Sequence, residues 1–190
     1  MTQPLYTVRQ LAYVVRDLDA ALRYWTETLG AGPFFVLQHC PLQDQRYYGA
    51  HADTDISVAL GNSGALQIEL IQQHNDAPSV YRDFLDAGRS GVHHIGLMPE
   101  DYAAQCARYR ALGHRIAFEC TLGGAPLVYF DTLDAVGHYI ELWDNSPVFK
   151  DLFEMIEEAA VGWDGQDPVR TLPNHLPVCK CFYKGTKKYG

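Results

Sequence analysis

The chain repeats itself. The run Gln10, Leu11, Ala12, Tyr13, Val14, Val15, Arg16, Asp17 leads on to Leu29 and Gly30, and it returns as His94, Ile95, Gly96, Leu97 and on through Asp101 to Leu112 and Gly113. Gln10 to His94 and Asp17 to Asp101 are both offsets of 84 residues, and Gly30 to Gly113 is 83. A second pair follows, Gln67-Ile68-Glu69-Leu70 and Tyr139-Ile140-Glu141-Leu142, 72 residues apart. One unit used twice constrains the fold more than any single motif, because each copy must bury its apolar face against the other.

Within each copy the periodicity switches from strand to helix and back. Val8 to Val15 reads as a buried strand, Asp17 as an N-cap, and Leu18, Ala21, Leu22, Trp25 and Leu29 fall at helical spacing before Gly30. Phe34 to Gln38, Asp55 to Leu60 and Leu66 to Gln72 read as strands, the last two joined by the turn at Gly61 to Gly64. Residues 40–54, of mixed polarity, read as a long loop or an irregular hairpin. A short helix capped by Ser79 is expected between the copies. The second copy runs as a strand over 92–98, a helix over 99–112, and strands over 115–120, 127–131 and 138–143. Both halves are therefore βαβββ.

The division predicted is a first module over 6–75, a second over 90–145, a C-terminal helix and turn over 148–170, and a peripheral tail over 171–190. Phe149, Leu152, Phe153 and Ile156 make one apolar face of that helix, to be covered by the sheet or by another subunit. The turn-rich stretch from Gly162 to Pro168 reads as a surface turn or a lid. Four of the five lysines lie in the tail, together with Cys179 and Cys181, a weak metal motif.

Composition narrows the partners. With 190 residues and 47% hydrophobic content the chain can bury a real core. A formal charge of −8 argues against nucleic acid and anionic membrane surfaces. There is no run of the ~20 apolar residues that a membrane span needs and no recognisable signal peptide. The odd count of five cysteines reads as reduced thiols. A cytoplasmic protein is expected.

Four repeat-related positions carry the chemistry. Gln10, Glu69, His94 and Glu141 each sit in a strand otherwise made of apolar residues. A carboxylate in such a strand is costly unless it is paired or bound to a cation. One imidazole and two or three oxygens suit a divalent ion such as Zn²⁺, Ni²⁺, Co²⁺ or Mn²⁺. The alternative is a polar face of a half-exposed sheet. His93, next to His94, is expected to point the other way and to be packed or hydrogen-bonded.

These motifs, with Gly91 to Gly96 and Val128 to Asp131, resemble the vicinal oxygen chelate superfamily, which includes glyoxalase I, methylmalonyl-CoA epimerase, extradiol dioxygenases and bleomycin-resistance proteins. The resemblance covers roughly residues 6–145. It implies an α+β fold in which two βαβββ modules form a curved open sheet around a metal-binding cleft, here with an added C-terminal helix. It places the metal on Gln10, Glu69, His94 and Glu141, a set similar to animal-type glyoxalase I. It implies a metal-dependent isomerase, epimerase or lyase acting on a small carbonyl compound, with Glu141 as base and Glu69 as the alternative. The segment after Glu69 resembles the linker of the epimerases, although Gln10 replaces their histidine and residues 34–60 hold no glutamate. A metal-free binding or resistance protein is the alternative, and a dioxygenase ranks last because Gln10 leaves its two-histidine triad incomplete. Homodimers are usual in the superfamily. Tyr13, Phe35, Tyr47, Tyr48, Tyr129 and Trp143 are the candidates for shaping a substrate pocket.

Overall fold

The computed structural model describes residues 7–172. One curved, unclosed sheet organises them, as expected of the α+β class. The first half contributes β1 (Gln10–Val14), β2 (Phe34–Leu37), β5 (Ile56–Ser63) and β6 (Leu66–Gln73) in the order β2-β5-β6-β1. The second contributes β7 (His94–Leu97), β8 (Ile116–Leu122), β9 (Ala125–Phe130) and β10 (Tyr139–Trp143) in the order β7-β10-β9-β8. The halves join where β1 runs antiparallel to β7, with Gln10 opposite Gly96 and Ala12 opposite His94. The two copies therefore pair within one chain.

Strand alternation sorts the side chains into two faces. On the outer face, α1 (Leu18–Arg23) covers Phe34, Ala59, Ile68 and Leu70, and α3 (Tyr102–Ala111) lies over Val128, Phe130 and Leu142. Both helices start on an aspartate cap. Asp17 Oδ1 accepts from the Ala20 amide at 2.8 Å, and Asp101 Oδ1 from the Ala104 amide at 2.9 Å. Each cap satisfies an amide that has no partner inside its helix. The linking helix α2 (Val80–Asp86) is capped in the same way by Ser79. The first helix is expected to continue regularly to Leu29. Instead, Tyr24–Thr28 widens into a π-helical turn in which the Leu29 amide reaches back to the Tyr24 carbonyl.

Three features add to the expected pattern. Residues 40–54 contain a hairpin, β3 (Gln43–Tyr47) and β4 (Ala50–His51), and β3 pairs with β8 of the other half. The chain thus leaves one edge of the sheet at β2 and rejoins the opposite edge at β3. A small helix, α4 (Leu133–Val136), precedes β10. Finally β11 (Val169–Thr171) adds to β2 as a parallel edge strand, and Leu172 is buried behind it. Thr171 and Leu172 are therefore part of the packed structure and not a peripheral tail. The lysine-rich remainder, with Cys179 and Cys181, lies outside the described residues.

The C-terminal helix α5 (Pro147–Ala160) begins three residues after β10, with Pro147 in its first turn. It lies on the inner face of its own sheet. Phe149, Leu152, Phe153 and Ile156 are each at most 3% exposed and share one cluster with Val58, Leu127, Tyr129 and Trp143. Burying each of these four side chains contributes about 1.5–3 kcal/mol, which anything that takes the helix's place must offset. Its apolar face is used up inside the chain and leaves nothing for a second subunit to cover. The stretch from Gly162 to Pro168 is an exposed turn closed by Trp163 Nε1 donating to the Gln166 carbonyl at 2.6 Å.

Candidate metal centre and cleft

The four repeat-related positions converge. Glu69 on β6, Gln10 on β1, His94 on β7 and Glu141 on β10 occupy four neighbouring strands at the middle of the sheet. All four side chains point to the inner face. His94 Nε2 lies 3.0 Å from Glu141 Oε2, 3.2 Å from Glu69 Oε2 and 3.3 Å from Gln10 Oε1. His94 is fully buried, and the Glu141 and Glu69 side chains are only 3% and 12% exposed.

Hydrogen bonding on the far side of His94 fixes what Nε2 can do. His93 Nε2 faces the Val80 carbonyl at 3.2 Å and must donate to it. Burial, and then the neighbouring His94, hold the His93 pKa well below the ordinary histidine value, so its ring is neutral and its Nδ1 is an acceptor. His94 Nδ1 sits 2.9 Å from that atom and therefore donates to it. When His94 is neutral, its Nε2 carries a bare lone pair aimed at three oxygens. Gln10 is turned the same way, because its Nε2 donates to Gln67 Oε1 at 2.8 Å and leaves Oε1 facing the site.

Four acceptors facing one another require a cation. The oxygens Glu69 Oε2 and Glu141 Oε2 are both buried without a hydrogen-bond donor. A proton is one solution. Burial alone would lower the His94 pKa, but the Glu141 and Glu69 carboxylates outweigh it and push the value up to about 9. Burial also raises the Glu69 pKa, with His94 opposing and Glu141 reinforcing the shift. A divalent ion is the other solution. Donor separations of 3.0–3.3 Å are those expected around an ion with bonds of ~2.1 Å. Glu69, His94 and Glu141 each offer a ligand atom within 4.8 Å of the others, and Gln10 completes a mixed N/O set. The donors fit such an ion, and His93 and Gln67 orient two of them from behind.

The profile of the Glyoxalase/Bleomycin resistance protein/Dioxygenase superfamily matches residues 9–129. The chain belongs to this superfamily. Solved structures agree on the fold. Methylmalonyl-CoA epimerase from Mycobacterium tuberculosis shares 21% identity at a TM-score of 0.54, covering 80% of this chain and 96% of that one. A hypothetical protein from Bacillus halodurans C-125 shares 16% identity at a TM-score of 0.53, covering 74% and 94%. A variant of Streptomyces coelicolor methylmalonyl-CoA epimerase bound to 2-nitronate-propionyl-CoA shares 19% at 0.51, covering 75% and 96%. A comparison with curated protein sequences finds no match.

In this glyoxalase-superfamily chain Gln10, Glu69 and Glu141 of the candidate metal centre line a small cavity of about 50 Å³. Of the aromatic candidates, Tyr129 and Trp143 line it. Tyr13 does not. It has the wrong strand parity and packs on the outer face with its ring 5.5 Å from Trp25. Tyr47 and Tyr48 stand away from the cavity, their hydroxyls donating to Asp83 and Asp131. Phe35 is in the inner cluster but off the cavity wall, beneath the Arg170 guanidinium. Sequence reasoning missed several groups at the site. It turns His93 away from His94, but β7 starts only at His94, so strand alternation does not govern the residue before it. Gln67 sits two residues before Glu69, so its parity is a readable signal. Tyr81, Cys40 and Cys120 line the cavity from separate segments, and nothing in their local sequence marks them.

Proposed function

We propose that the protein is a metal-dependent isomerase, epimerase or lyase that removes a proton next to a carbonyl group. The observation that carries this reading is the donor cluster itself: the buried His94 Nε2 with two buried carboxylate oxygens 3.0 and 3.2 Å from it and the Gln10 oxygen at 3.3 Å. A bound divalent ion would polarise the substrate carbonyl and offset the negative charge that develops on its oxygen. Gln10, Glu69, His94 and Glu141 would hold it, and Zn²⁺, Ni²⁺, Co²⁺ and Mn²⁺ suit such donors.

The protein side chains supply the proton chemistry. Glu141 accepts the α-proton as the C–H bond breaks, and the electron pair moves into the C=C bond while charge builds on oxygen. Return of the proton to the other face, or to the neighbouring carbon, gives epimerisation or isomerisation. Glu69 is the second carboxylate at the centre, and burial raises its pKa above the ordinary carboxylate value, in the direction a proton-transfer group needs. The Tyr81 and Tyr129 hydroxyls, 3.2 Å apart, stay protonated because burial raises both pKa values. They keep a neutral polar wall beside the donors. The epimerase neighbours support this reaction class, while their CoA thioester ligand is a separate matter.

The remaining parts of the reading are a cytoplasmic location, consistent with Cys106 and Cys120 being outside any disulfide, and a homodimer formed through a surface other than the apolar face of α5. Among the described residues no helix is long and apolar enough to cross a membrane. The decisive experiment incubates the metal-loaded protein with 2-oxo compounds, hydroxyketones and acyl thioesters in D₂O and follows loss of the α-proton by NMR. Wild type should exchange at least one class, and Glu141→Gln should not. Tight metal-free ligand binding with no exchange in any class would instead make it a binding protein. Full exchange in Glu141→Gln, lost in Glu69→Gln, would move the base to Glu69.

A further inference from the structure

The helix α5 occupies the place where a substrate would meet the metal donors. It leaves β10 through residues 144–146, crosses the inner face, and hands the chain to β11 on the far edge. Phe149, Leu152 and Phe153 form part of the wall of the same cavity as Gln10, Glu69 and Glu141. The space left beside the donors is about 50 Å³, enough for a few ordered waters and too small for an organic carbonyl compound with a side group. A substrate larger than a few water molecules therefore needs this wall, to which α5 contributes three side chains, to give way.

What α5 covers specifies what can replace it. The wall uncovered by its departure would consist of aliphatic side chains such as Val58 and Leu127, two thiols, and the rings of Tyr81, Tyr129 and Trp143. Trp143 already stacks edge-on to Phe153 at 5.0 Å, and Phe149 lies 6.5 Å from it. Among the described residues no lysine or arginine lines the cavity, so a phosphate or a free carboxylate would find no fixed cation there beyond the metal. An incoming molecule can stand in for the packing that α5 provides only if it brings apolar, aromatic surface of its own.

The geometry points to α5 as an internal stand-in for the substrate, a strap that yields to an uncharged aromatic carbonyl compound and not to a CoA thioester. This rests on the proton-abstraction reading for the site and adds the substrate class. One latch of the strap is visible. Glu157 on α5 accepts from Arg9 Nη2 at 2.7 Å, at the end of the helix remote from its entry and outside the cavity.

The test uses the full chain loaded with Zn²⁺ and two probes, 1-phenyl-1,2-propanedione and methylmalonyl-CoA, at equal concentration. Calorimetry measures binding, and hydrogen exchange reads the amides of residues 147–160. The dione should bind and raise exchange in α5 by about tenfold or more while the central strands stay protected, and methylmalonyl-CoA should do neither. Glu157→Gln takes the charge out of the latch without touching the cleft, and should tighten dione binding by up to about fivefold through a larger open population. Dione binding that leaves α5 exchange unchanged would overturn the strap. So would methylmalonyl-CoA binding that opens α5 where the dione does not, or a Glu157→Gln variant with unaltered α5 exchange and unaltered affinity. None of these readouts needs turnover. A protein that opens for the dione yet exchanges no α-proton would reject the reaction and keep the strap.

Discussion

Gly96 has little room for any side chain, and the consequence can be worked out atom by atom. It lies on β7 between Gln10 and Glu141 in the strand register. A Cβ placed there would sit 1.9 Å from Cη2 of Trp143, 2.6 Å from Cζ3 and 2.7 Å from Cζ2. The indole cannot simply retreat, because Phe153 and Phe149 of α5 close behind it at 5.0 and 6.5 Å. Overpacking of this kind typically costs about 1–3 kcal/mol. At roughly 2–4 °C per kcal/mol for a chain of this size, Gly96→Ala should lower Tm by about 2–12 °C. Trp143 and Glu141 share one face of β10, so the displaced ring should also disturb the donors and weaken metal binding by about tenfold or more. The control is Trp143→Phe, whose smaller ring removes the clashing atoms. In that background Ala should be neutral or better, because a strand glycine costs about 0.5–1 kcal/mol relative to alanine. The coupling in the double-mutant cycle is then about 1.5–4 kcal/mol. Differential scanning calorimetry of the four proteins measures it. If Gly96→Ala melts like wild type, or costs the same in both backgrounds, the indole does not lie across Gly96.

Two further outcomes follow from the donor geometry. A metal must displace the proton that Glu141 and Glu69 hold on His94. With a pKa of about 9, the apparent affinity should fall about tenfold per pH unit below that value, or about 100-fold between pH 9 and 7; a flat titration over this range would reject His94 as a ligand. In the metal-free protein the sign is the same as for any raised histidine: the folded value exceeds the unfolded value of 6.5. The contribution to stability should be complete below about pH 6.5 and lost as pH rises through about 9. Gln67→Leu takes away the acceptor that turns Gln10, so metal affinity should drop by about 10–100-fold with little change in Tm. Unchanged affinity by calorimetry would mean that Gln10 orients itself.

The duplicated βαβββ pattern, the helix caps at Asp17 and Ser79, and the four polar positions that meet at the centre are all legible along the chain. Each of these is a local signal: a period, a cap type, or a charged residue in an apolar strand that recurs at matched places in the repeat. Strand parity is legible too, and it sets Tyr13 on the outer face and Gln67 beside Glu69. Only the tertiary structure decided which surfaces cover the cleft. The apolar stripe of α5 says that the helix must be buried, but burial is non-directional, and a sheet face, a neighbouring subunit and the chain's own cleft satisfy it equally. The crossing of β3 to β8 is likewise invisible locally, because a ladder partner more than 70 residues away leaves no mark on the strand it completes. The His93 to His94 hydrogen bond belongs with these, since it depends on where β7 begins and on a carbonyl of α2 that only folding brings near.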